Sequence, residues 1–364
     1  MMKTVNGGVA MAKAKALYLV TGAMGHLGSA VVRLLREKGC AVRGLAVEAE
    51  RALAEKADID IVYGDIRDKD SVRPLFCDSK DQQLIVIHTA GIVSIASRFN
   101  QAVCDVNVRG TQNIVELCEE YGADKLVYVS SVHAIPEPAH GELIVEVDRF
   151  DPALVRGLYA KTKAEATQIV LEAAKRGLNA SVVHPSGIIG PYDAGHGHLT
   201  QLILDYVDGR LSACVSGGYD FVDVRDVARC IVECAQKGGK GECYICSNQY
   251  LTVPRLMQYL HEITGLKKVR VVLPMFLAKL TAPLAEFYYK LHRQPPLFTS
   301  YSLYTLTSNS NFSHVKADRE LGAERLPVRQ TLEDTVNWLK TNGRFRPLRR
   351  RRRQLLRNPQ LFQL

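Results

Sequence analysis

A strand, a glycine-rich turn and a helix follow one another near the N-terminus, and this order constrains the fold more than any other feature of the chain. The apolar segment Ala16–Val20 has the length of a buried strand and leads into Gly22, Gly25 and Gly28. A helical pattern follows and ends at Gly39. These glycines permit a tight turn, close approach of the backbone to a pyrophosphate and close packing of helix on strand. The segment therefore predicts a dinucleotide-binding βαβ unit.

Strand and helix patterns alternate along most of the remaining chain. The predicted strands are Ala41–Leu45, Ile59–Tyr63, Leu84–Thr89, Lys125–Ser130 and Asn179–His184, and helical segments include Asn100–Tyr121 and Tyr159–Arg176. This alternation indicates right-handed βαβ crossovers. We therefore predict an α/β fold with a doubly wound parallel sheet (Rossmann) and a smaller C-terminal substrate lobe. In such sheets ligands bind at the carboxyl ends of the strands.

Tyr159 and Lys163 are four residues apart in a predicted helix, so their side chains share one face. A phenol has a pKa near ~10 and is a poor base at neutral pH unless a cation favours the phenolate. We expect Lys163 to be that cation and to lower the pKa of Tyr159. The same spacing also occurs on solvated helices, so the pair gains meaning from the motifs around it.

These motifs resemble those of the extended short-chain dehydrogenase/reductase superfamily. The spacing Gly-x-x-Gly-x-x-Gly departs from the ordinary Gly-x-Gly-x-x-Gly fingerprint and is similar to the turn of that superfamily. The further matches, in chain order, are Gly64–Asp68, His88–Gly91, Asn107–Thr111, Ser130-Ser131, Tyr159 with Lys163, His184–Pro191 and Phe221–Ala228. The resemblance spans about residues 15 to 340. Within the superfamily, the chain resembles the 3β-hydroxysteroid dehydrogenase and dihydroflavonol reductase branch.

The resemblance implies catalytic roles for Ser131, Tyr159 and Lys163. Hydroxyls of Ser131 and Tyr159 would polarise a carbonyl, Tyr159 would transfer the proton, and Lys163 would also hold the ribose hydroxyls of the nicotinamide. Asp65 and Ile66 would contact the adenine, whereas the element containing Asn107 is more typical of a brace. The complete set of expected cofactor-binding residues is Gly22, Met24, Gly25, His26, Leu27, Gly28, Glu48, Asp65, Ile66, Thr89, Ala90, Gly91, Asn107, Tyr159, Lys163 and His184.

The choice between NAD(H) and NADP(H) depends on the residues that follow the second strand. An acid there binds the ribose of NAD, and an arginine accommodates the phosphate of NADP. Glu48 is within reach, while Arg43 and Arg51 are close in sequence. The sequence favours NAD(H) slightly, with NADP(H) left open.

Four regions are expected along the chain. They are an N-terminal extension (1–14), the NAD(P)-binding domain (15–185), a mainly substrate-binding lobe (186–342) with segments returning to the first domain, and a basic tail (343–364). In the lobe, Val271–Leu291 is interpreted as an amphipathic helix over an apolar substrate cleft, with a membrane-surface role as the alternative. Phe298, Tyr301 and Tyr304 would line the same cleft.

Charge and cysteine content limit the partners. The net charge is +9, but eight arginines and no acid lie in the tail, which we interpret as disordered rather than as a specific nucleic-acid site. The nine cysteines are scattered and no secretory signal or transmembrane segment is recognised, so a reducing cytoplasm is expected. Cys243 and Cys246 would point to opposite faces of a strand, and His196 with His198 lacks further ligands, so no metal is predicted.

Three functions fit these observations. The first is oxidation or reduction of a secondary alcohol or ketone in a bulky, apolar small molecule such as a steroid or flavonoid. The second is nucleotide-sugar epimerisation, whereas dehydration is disfavoured because Val132-His133-Ala134 follows Ser131 in place of Asp-Glu. The third is a non-catalytic, cofactor-sensing protein. A homodimer is an open alternative to a monomer.

Overall fold

The molecule is built on a seven-stranded parallel sheet in the order β10-β6-β5-β4-β1-β2-β3. The computed structural model describes residues 16–78, 82–95, 99–194, 197–280 and 300–345. Its strands are β1 (Ala16–Thr21), β2 (Ala41–Ala46), β3 (Asp60–Tyr63), β4 (Gln83–His88), β5 (Lys125–Val129), β6 (Ala180–Pro185), β7 (Gly187–Ile189), β8 (Ala213–Val215), β9 (Gly218–Asp223), β10 (Cys243–Cys246), β11 (Gln249–Thr252) and β12 (Val271–Leu273). The doubly wound order confirms the predicted Rossmann fold, and every predicted strand is present to within one residue at each end.

The helices cover both faces of this sheet. They are α1 (His26–Glu37), α2 (Arg51–Ala54), α3 (Lys69–Phe76), α4 (Gln101–Cys104), α5 (Thr111–Glu120), α6 (Leu158–Arg176), α7 (His198–Val207), α8 (Val224–Lys237), α9 (Val253–Thr264), α10 (described over residues 275–280), α11 (Ser300–Thr305), α12 (Val315–Leu321) and α13 (Val328–Thr341). One apolar layer lies between the sheet and α1 with α8, and the other between the sheet and α3, α5 and α6. Strands such as β5 are buried along their whole length because helices cover both faces.

The remaining strands form two smaller sheets. Strand β9 pairs with β7 in parallel and with β11 in antiparallel orientation, and β12 pairs with β8. This last pairing corrects the interpretation of Val271–Leu291 as one helix. Residues Val271–Leu273 form a strand because β8 offers them a hydrogen-bonding partner, and the helix begins only at residue 275. Positions 281–291 and Phe298 lie outside the described residues.

The cysteines differ in one respect from the sequence expectation. Cys243 and Cys246 lie on β10 as predicted, but the sulfur of Cys246 is paired in a disulfide with Cys230 of α8, with Cα atoms 7.2 Å apart. The sequence does not predict this pair because the two residues meet only when α8 packs near the edge of the sheet.

The N-terminal extension, His196 and the arginines from position 346 onward lie outside the described residues. Among the described residues, no helix has the length and apolar character needed to cross a bilayer.

Candidate active site

The glycine turn forms a compact cradle between β1 and α1. Gly22 has a φ of +66°, and a Cβ atom there would lie 2.8 Å from the backbone of Ala90. A Cβ atom on Gly28 would lie 2.0 Å from the carbonyl oxygen of Gly22, so only glycine fits at that position. By contrast, Gly25 is exposed, and its Cβ would meet only the carbonyl oxygen of Gly22, at 3.3 Å. The open side of Gly25 and the N-terminus of α1 together suit a pyrophosphate.

The other expected residues of this turn take different positions. Met24 is buried, and Leu27 is half-buried. His26 Nε2 lies 3.0 Å from the carbonyl oxygen of Pro191, which joins the turn to the segment that follows β7. The Gly22–Gly28 turn is therefore held from two directions, by Ala90 after β4 and by Pro191 after β7.

A buried polar network aligns the carboxyl ends of β1 and β4. Thr21 Oγ1 lies 2.7 Å from His88 Nδ1, and the other ring nitrogen lies 3.1 Å from Thr111 Oγ1. Thr89 Oγ1 donates a 2.7 Å hydrogen bond to the carbonyl oxygen of Thr21. Complete burial lowers the pKa of His88 to about 3, so the ring is neutral and serves as a fixed hydrogen-bonding bridge.

Asn107 connects the loop after β4 to helix α6, which carries Tyr159 and Lys163. Its side-chain oxygen accepts from the backbone N–H of Ile92 at 2.8 Å, and its amide donates to the carbonyl oxygen of Ile92 at 3.0 Å and to Thr162 Oγ1 at 3.1 Å. Asn107 lies in a π-helical turn, Asp105–Gly110, between α4 and α5. A Cβ atom on Gly91 would lie 3.2 Å from the side-chain oxygen of Asn107 and 3.5 Å from Lys163 Nζ. The loop is thus held close to the lysine.

Tyr159 and Ser131 meet in the interior. Both side chains are buried, and the Ser131 hydroxyl forms a hydrogen bond with the phenol. Burial raises the pKa of Tyr159 to about 12, and the hydrogen bond with Ser131 opposes this rise. Ser131 Oγ also accepts from the backbone N–H of His133 at 3.2 Å, because a 3₁₀ turn starts there. The two hydroxyls expected to polarise a carbonyl are therefore brought together.

Lys163 lies one turn after Tyr159 on α6 but is oriented toward the sheet. Its ammonium donates to the carbonyl oxygen of Val129 at 2.8 Å and to the hydroxyl of Tyr128 at 3.3 Å. Burial lowers its pKa to about 7. The prediction that Lys163 lowers the pKa of Tyr159 is therefore not met by this arrangement: burial dominates, and the pKa of the phenol moves upward.

His184 is predicted to contact the cofactor, but its ring is fully buried behind Ser131. Its Nδ1 lies 3.0 Å from the carbonyl oxygen of Ser131, and the ring stacks on Phe150 with centroids 5.1 Å apart. Burial lowers the pKa of His184 to about 4, so the ring is neutral and its proton resides on Nδ1, facing that carbonyl. This geometry makes His184 a support for the Ser131 backbone, with no exposed atom for a cofactor.

An aromatic wall covers Tyr159 on one side; we define it as His133, Tyr219, Tyr301 and Tyr304. His133 stacks on Tyr219 with centroids 5.6 Å apart, and Nε2 of His133 lies 3.0 Å from the Tyr219 hydroxyl. The ring of His133 is also 6.1 Å from that of Tyr159 and 6.3 Å from that of Tyr301. Burial lowers the pKa of His133 to about 4, so the wall is uncharged at this point.

Gly157 explains how Tyr301 reaches this position. It precedes α6 with a φ of +98°, and a Cβ atom there would lie 2.2 Å from Cε2 of Tyr301. The sequence predicts a place in the substrate cleft for Tyr301 and Tyr304 but none for His133 and Tyr219. The position of His133, two residues after Ser131, is a signal that could have found it, whereas Tyr219 comes from β9 and has no local signal.

The residues predicted to bind the adenosine end of the cofactor are either paired with arginines or hydrogen-bonded through their backbone. The carboxylate of Glu48 is bound by both Nε and Nη2 of Arg51, at 2.7 and 2.9 Å. Asp65 is paired with Arg67, and the carbonyl oxygen of the buried Ile66 accepts from Asn113 at 2.7 Å. Thus Glu48 and Arg51, which favour different cofactors, neutralise each other in this structure.

Together, the doubly wound sheet, the glycine cradle and the buried Ser131, Tyr159 and Lys163 define a class of protein: dinucleotide-dependent enzymes of the Rossmann fold. A family model described as the NAD dependent epimerase/dehydratase family matches residues 18–247. The chain belongs to this family, in the extended short-chain dehydrogenase/reductase branch, and it is an NAD-dependent enzyme.

Relatives extend over almost the whole chain. It is 33% identical to sterol demethylase protein B of Methylococcus capsulatus, over 89% of this chain and 98% of the relative. It is 28% identical to mouse 3 beta-hydroxysteroid dehydrogenase type 7, over 89% of this chain and 95% of the relative. The crystal structure of gox2253 superposes with a TM-score of 0.78 and 30% identity, covering 91% of this chain and 99% of that one. The expected resemblance to the hydroxysteroid dehydrogenase branch is confirmed.

Proposed function

We propose that this protein is an NAD-dependent oxidoreductase that interconverts a secondary alcohol and a ketone on a steroid-like molecule. The observation that carries the proposal is the aromatic wall beside Tyr159. The rings of Tyr219, Tyr159 and Tyr301 surround that of His133, with centroids 5.6, 6.1 and 6.3 Å from it, and their flat faces carry no charge at neutral pH. Flat apolar rings such as those of a sterol bury large areas against such faces. The names of the relatives that act on sterols and hydroxysteroids support the same substrate class.

Ser131 and Tyr159 hold and move the proton in this proposal. In the direction of ketone reduction, both hydroxyls donate hydrogen bonds to the substrate oxygen and stabilise the negative charge that develops on it. The nicotinamide, when bound, supplies the hydride in this direction and accepts it in the other. Because burial raises the pKa of Tyr159 to about 12, the phenol is protonated at neutral pH and ready to act as the acid.

Alcohol oxidation requires Tyr159 in its deprotonated form. Its phenolate must accept the hydroxyl proton of the substrate, which requires a cation to favour the charged form. We assign this role to Lys163, whose position four residues later on α6 places it one turn from Tyr159. In the structure the ammonium of Lys163 is bound to Val129 and Tyr128. Oxidation therefore requires this ammonium to interact with the phenolate of Tyr159 instead of with these two neutral partners.

The alternative substrate, a nucleotide sugar, is less well matched. Its diphosphate requires cations near the substrate side of the site. Arg156 lies beside the aromatic wall, with its guanidinium 4.4 Å from the ring centroid of Tyr304. The Tyr304 hydroxyl in turn donates to Glu137 at 3.3 Å, so an acid lies in the same place. A diphosphate would meet this carboxylate together with the cation.

The experiment is thermal protection in the presence of NADH or NADPH. Steroid ketones, flavonoids and UDP-sugars are added separately, because a ligand that binds only the folded state stabilises it by mass action. We expect a steroid ketone to raise the melting temperature and then to oxidise NADH, as followed by absorbance. The Tyr159→Phe variant is the control, since it should keep the protection but lose turnover. Protection by UDP-sugars without any by steroids or flavonoids would overturn the substrate class in favour of an epimerase.

A further inference from the structure

Exposed apolar side chains are concentrated in one short stretch of the substrate lobe. Three of them, Val271, Val272 and Leu273, form β12 and are 53%, 44% and 37% exposed. On the helix that follows, Phe276 is 69% exposed and Leu280 is 72% exposed. These five residues lie on two elements that follow one another in the chain, β12 and α10. Such a concentration of apolar surface marks an interaction site, because scattered single residues are the usual pattern on a protein surface.

Basic residues border this apolar stretch. Lys267, Lys268 and Arg270 are exposed and directly precede β12, and no described carboxylate lies within ion-pair distance of any of them. Lys268 and Arg270 line a groove of about 680 Å³, together with Arg255 of α9. The nearby acid Glu262 is directed elsewhere, toward Gln258 at 3.0 Å and Arg329 at 3.8 Å. The cations are therefore available to an external anion.

The same helix connects this surface to the catalytic centre. The inward side of α10 presents Ala278, which is buried and packs with Leu303 of α11. Met275 contributes to this cluster from the same side. Helix α11 also carries Tyr301, the ring that lies against Gly157 at the start of α6. Thus α10 has its apolar outer residues toward the surroundings and its inner residues against the helix that covers Tyr159.

We propose that Val271, Val272, Leu273, Phe276 and Leu280, with Lys267, Lys268 and Arg270, form a lipid-docking surface that binds an anionic phospholipid bilayer. Apolar side chains beside cations are the combination that enters the interface of such a bilayer. The binding is peripheral, since no described helix is suited to cross a membrane. Docking would place α10, and through it α11, where an apolar substrate can leave the lipid.

The positive charges of this surface favour an anionic bilayer over a second copy of this chain as its partner. In a twofold-symmetric dimer the same patch faces itself, so the three cations of one protomer would approach those of the other. Like charges brought together in this way disfavour the contact, whereas an anionic membrane neutralises them. The free edge of β12 offers backbone groups to a second copy, and this outcome is therefore included in the test.

The test is flotation of the full chain with large unilamellar vesicles, measured without steroid or cofactor. The proposal goes beyond the proposed reaction, so a failure to bind vesicles leaves that reaction untouched. Vesicles of phosphatidylcholine alone are compared with vesicles that also contain phosphatidylglycerol. We expect binding to the anionic vesicles only. The double variant Lys268→Glu, Arg270→Glu should bind at least tenfold more weakly, since each basic residue near an anionic surface contributes roughly fivefold.

A second variant distinguishes vesicle binding by this surface from vesicle binding by the arginine-rich C-terminal segment. That segment is identical in the wild type and in all of the variants. Phe276→Ser, Leu280→Ser keeps all charges but removes apolar contact, so the binding that persists in high salt should be lost. Val315→Ser is the matched control, because Val315 is 62% exposed but lies outside this surface. Melting curves check that each variant folds. Unchanged flotation of both double variants would overturn the proposal. If the variants also change from dimer to monomer in size-exclusion chromatography, the surface is instead a contact between two copies of this chain.

Discussion

The ammonium group of Lys163 lies 2.8 Å from the carbonyl oxygen of Val129, so a buried cation is held by a neutral acceptor at the end of a sheet strand. Burial lowers the pKa of Lys163 to about 7 and raises the pKa of Tyr159 to about 12. Both groups therefore favour their uncharged forms. At neutral pH the phenol of Tyr159 therefore keeps its proton, and Lys163 is only partly charged.

This burial of Lys163 predicts a specific dependence of stability on pH. The ordinary lysine pKa is about 10.4, so between pH 7 and pH 10 the unfolded chain binds a proton at this site that the folded chain does not. The contribution of Lys163 to the free energy of unfolding therefore rises with pH in this window, by on the order of a few kcal/mol. In Lys163→Met this rise should be absent. Urea unfolding of both proteins from pH 7 to pH 10 measures the difference.

Lys161 provides the matched control for that experiment. It lies on the exposed side of the same helix, two residues before Lys163. The difference in unfolding free energy between wild type and Lys161→Met should remain flat over the same pH range. A Lys163→Met protein whose stability follows the wild-type curve at every pH would show that the lysine is hydrated in solution.

Removal of the Tyr159 hydroxyl should abolish proton transfer while the cofactor site remains. We expect Tyr159→Phe to retain NADH affinity and to lose about 10²–10⁴-fold in turnover on a steroid ketone, the usual contribution of a general acid. The phenyl ring fills the same buried space, so the melting temperature should change little. Tyr250→Phe, at a tyrosine that is 52% exposed on β11, is the control and should retain full activity. Near wild-type turnover in Tyr159→Phe would remove this residue from the mechanism.

The glycine turn allows cofactor binding to be separated from folding. A Cβ atom on Gly25 meets only one backbone oxygen at 3.3 Å, so Gly25→Ala should fold, but its methyl group occupies space needed by a pyrophosphate. A Cβ atom on Gly28 would lie 2.0 Å from Gly22 O and 2.9 Å from Thr89 Oγ1, so Gly28→Ala should be strongly destabilised. Calorimetry with NADH and melting curves test the two variants. If Gly25→Ala binds NADH as well as wild type, the pyrophosphate lies elsewhere.

Local patterns were sufficient for the parallel sheet but not for the smaller sheets. The strand β5 could be predicted because residues 126–129 are a run of apolar and aromatic side chains suited to burial on both faces. The strand β12 could not, because Val271–Leu273 reads equally well as the start of a helix and becomes a strand only by pairing with Ala213–Val215, more than fifty residues earlier. The disulfide between Cys230 and Cys246 depends in the same way on how α8 packs.

In the candidate site, too, local sequence was enough for some features, whereas others depend on contacts between distant residues. Spacing along one helix was enough to place Tyr159 and Lys163 on the same element, and motif order was enough to bring Ser131 to them. The direction of the pKa shift of Tyr159 was wrong because it depends on how deeply α6 is buried and on the carbonyl of Val129, neither of which a spacing of four residues contains. The contact of Tyr219 with His133 joins residues 86 positions apart.

The last prediction concerns the choice between NAD and NADP. The Glu48 carboxylate holds Arg51 through two hydrogen bonds at the exposed end of β2, and the guanidinium of Arg51 also lies 4.3 Å from the ring centroid of Tyr63. For NAD to be preferred, Glu48 must accept hydrogen bonds from the ribose and repel a 2′-phosphate. We therefore expect Glu48→Gln to bind NADH more weakly and NADPH more tightly, because Arg51 is then free to pair with the phosphate.

The ratio of the two dissociation constants, measured by cofactor fluorescence, should shift toward NADPH by roughly fivefold, the size of effect typical of one exposed charge pair. Increasing salt should reduce the shift, since exposed charges are screened. Glu55→Gln is the control, because Glu55 is also exposed but follows α2 and does not hold Arg51 through its side chain in the described structure. An unchanged ratio in Glu48→Gln would mean that neither Glu48 nor Arg51 faces the ribose, and the preference would then have to arise from backbone groups after β2.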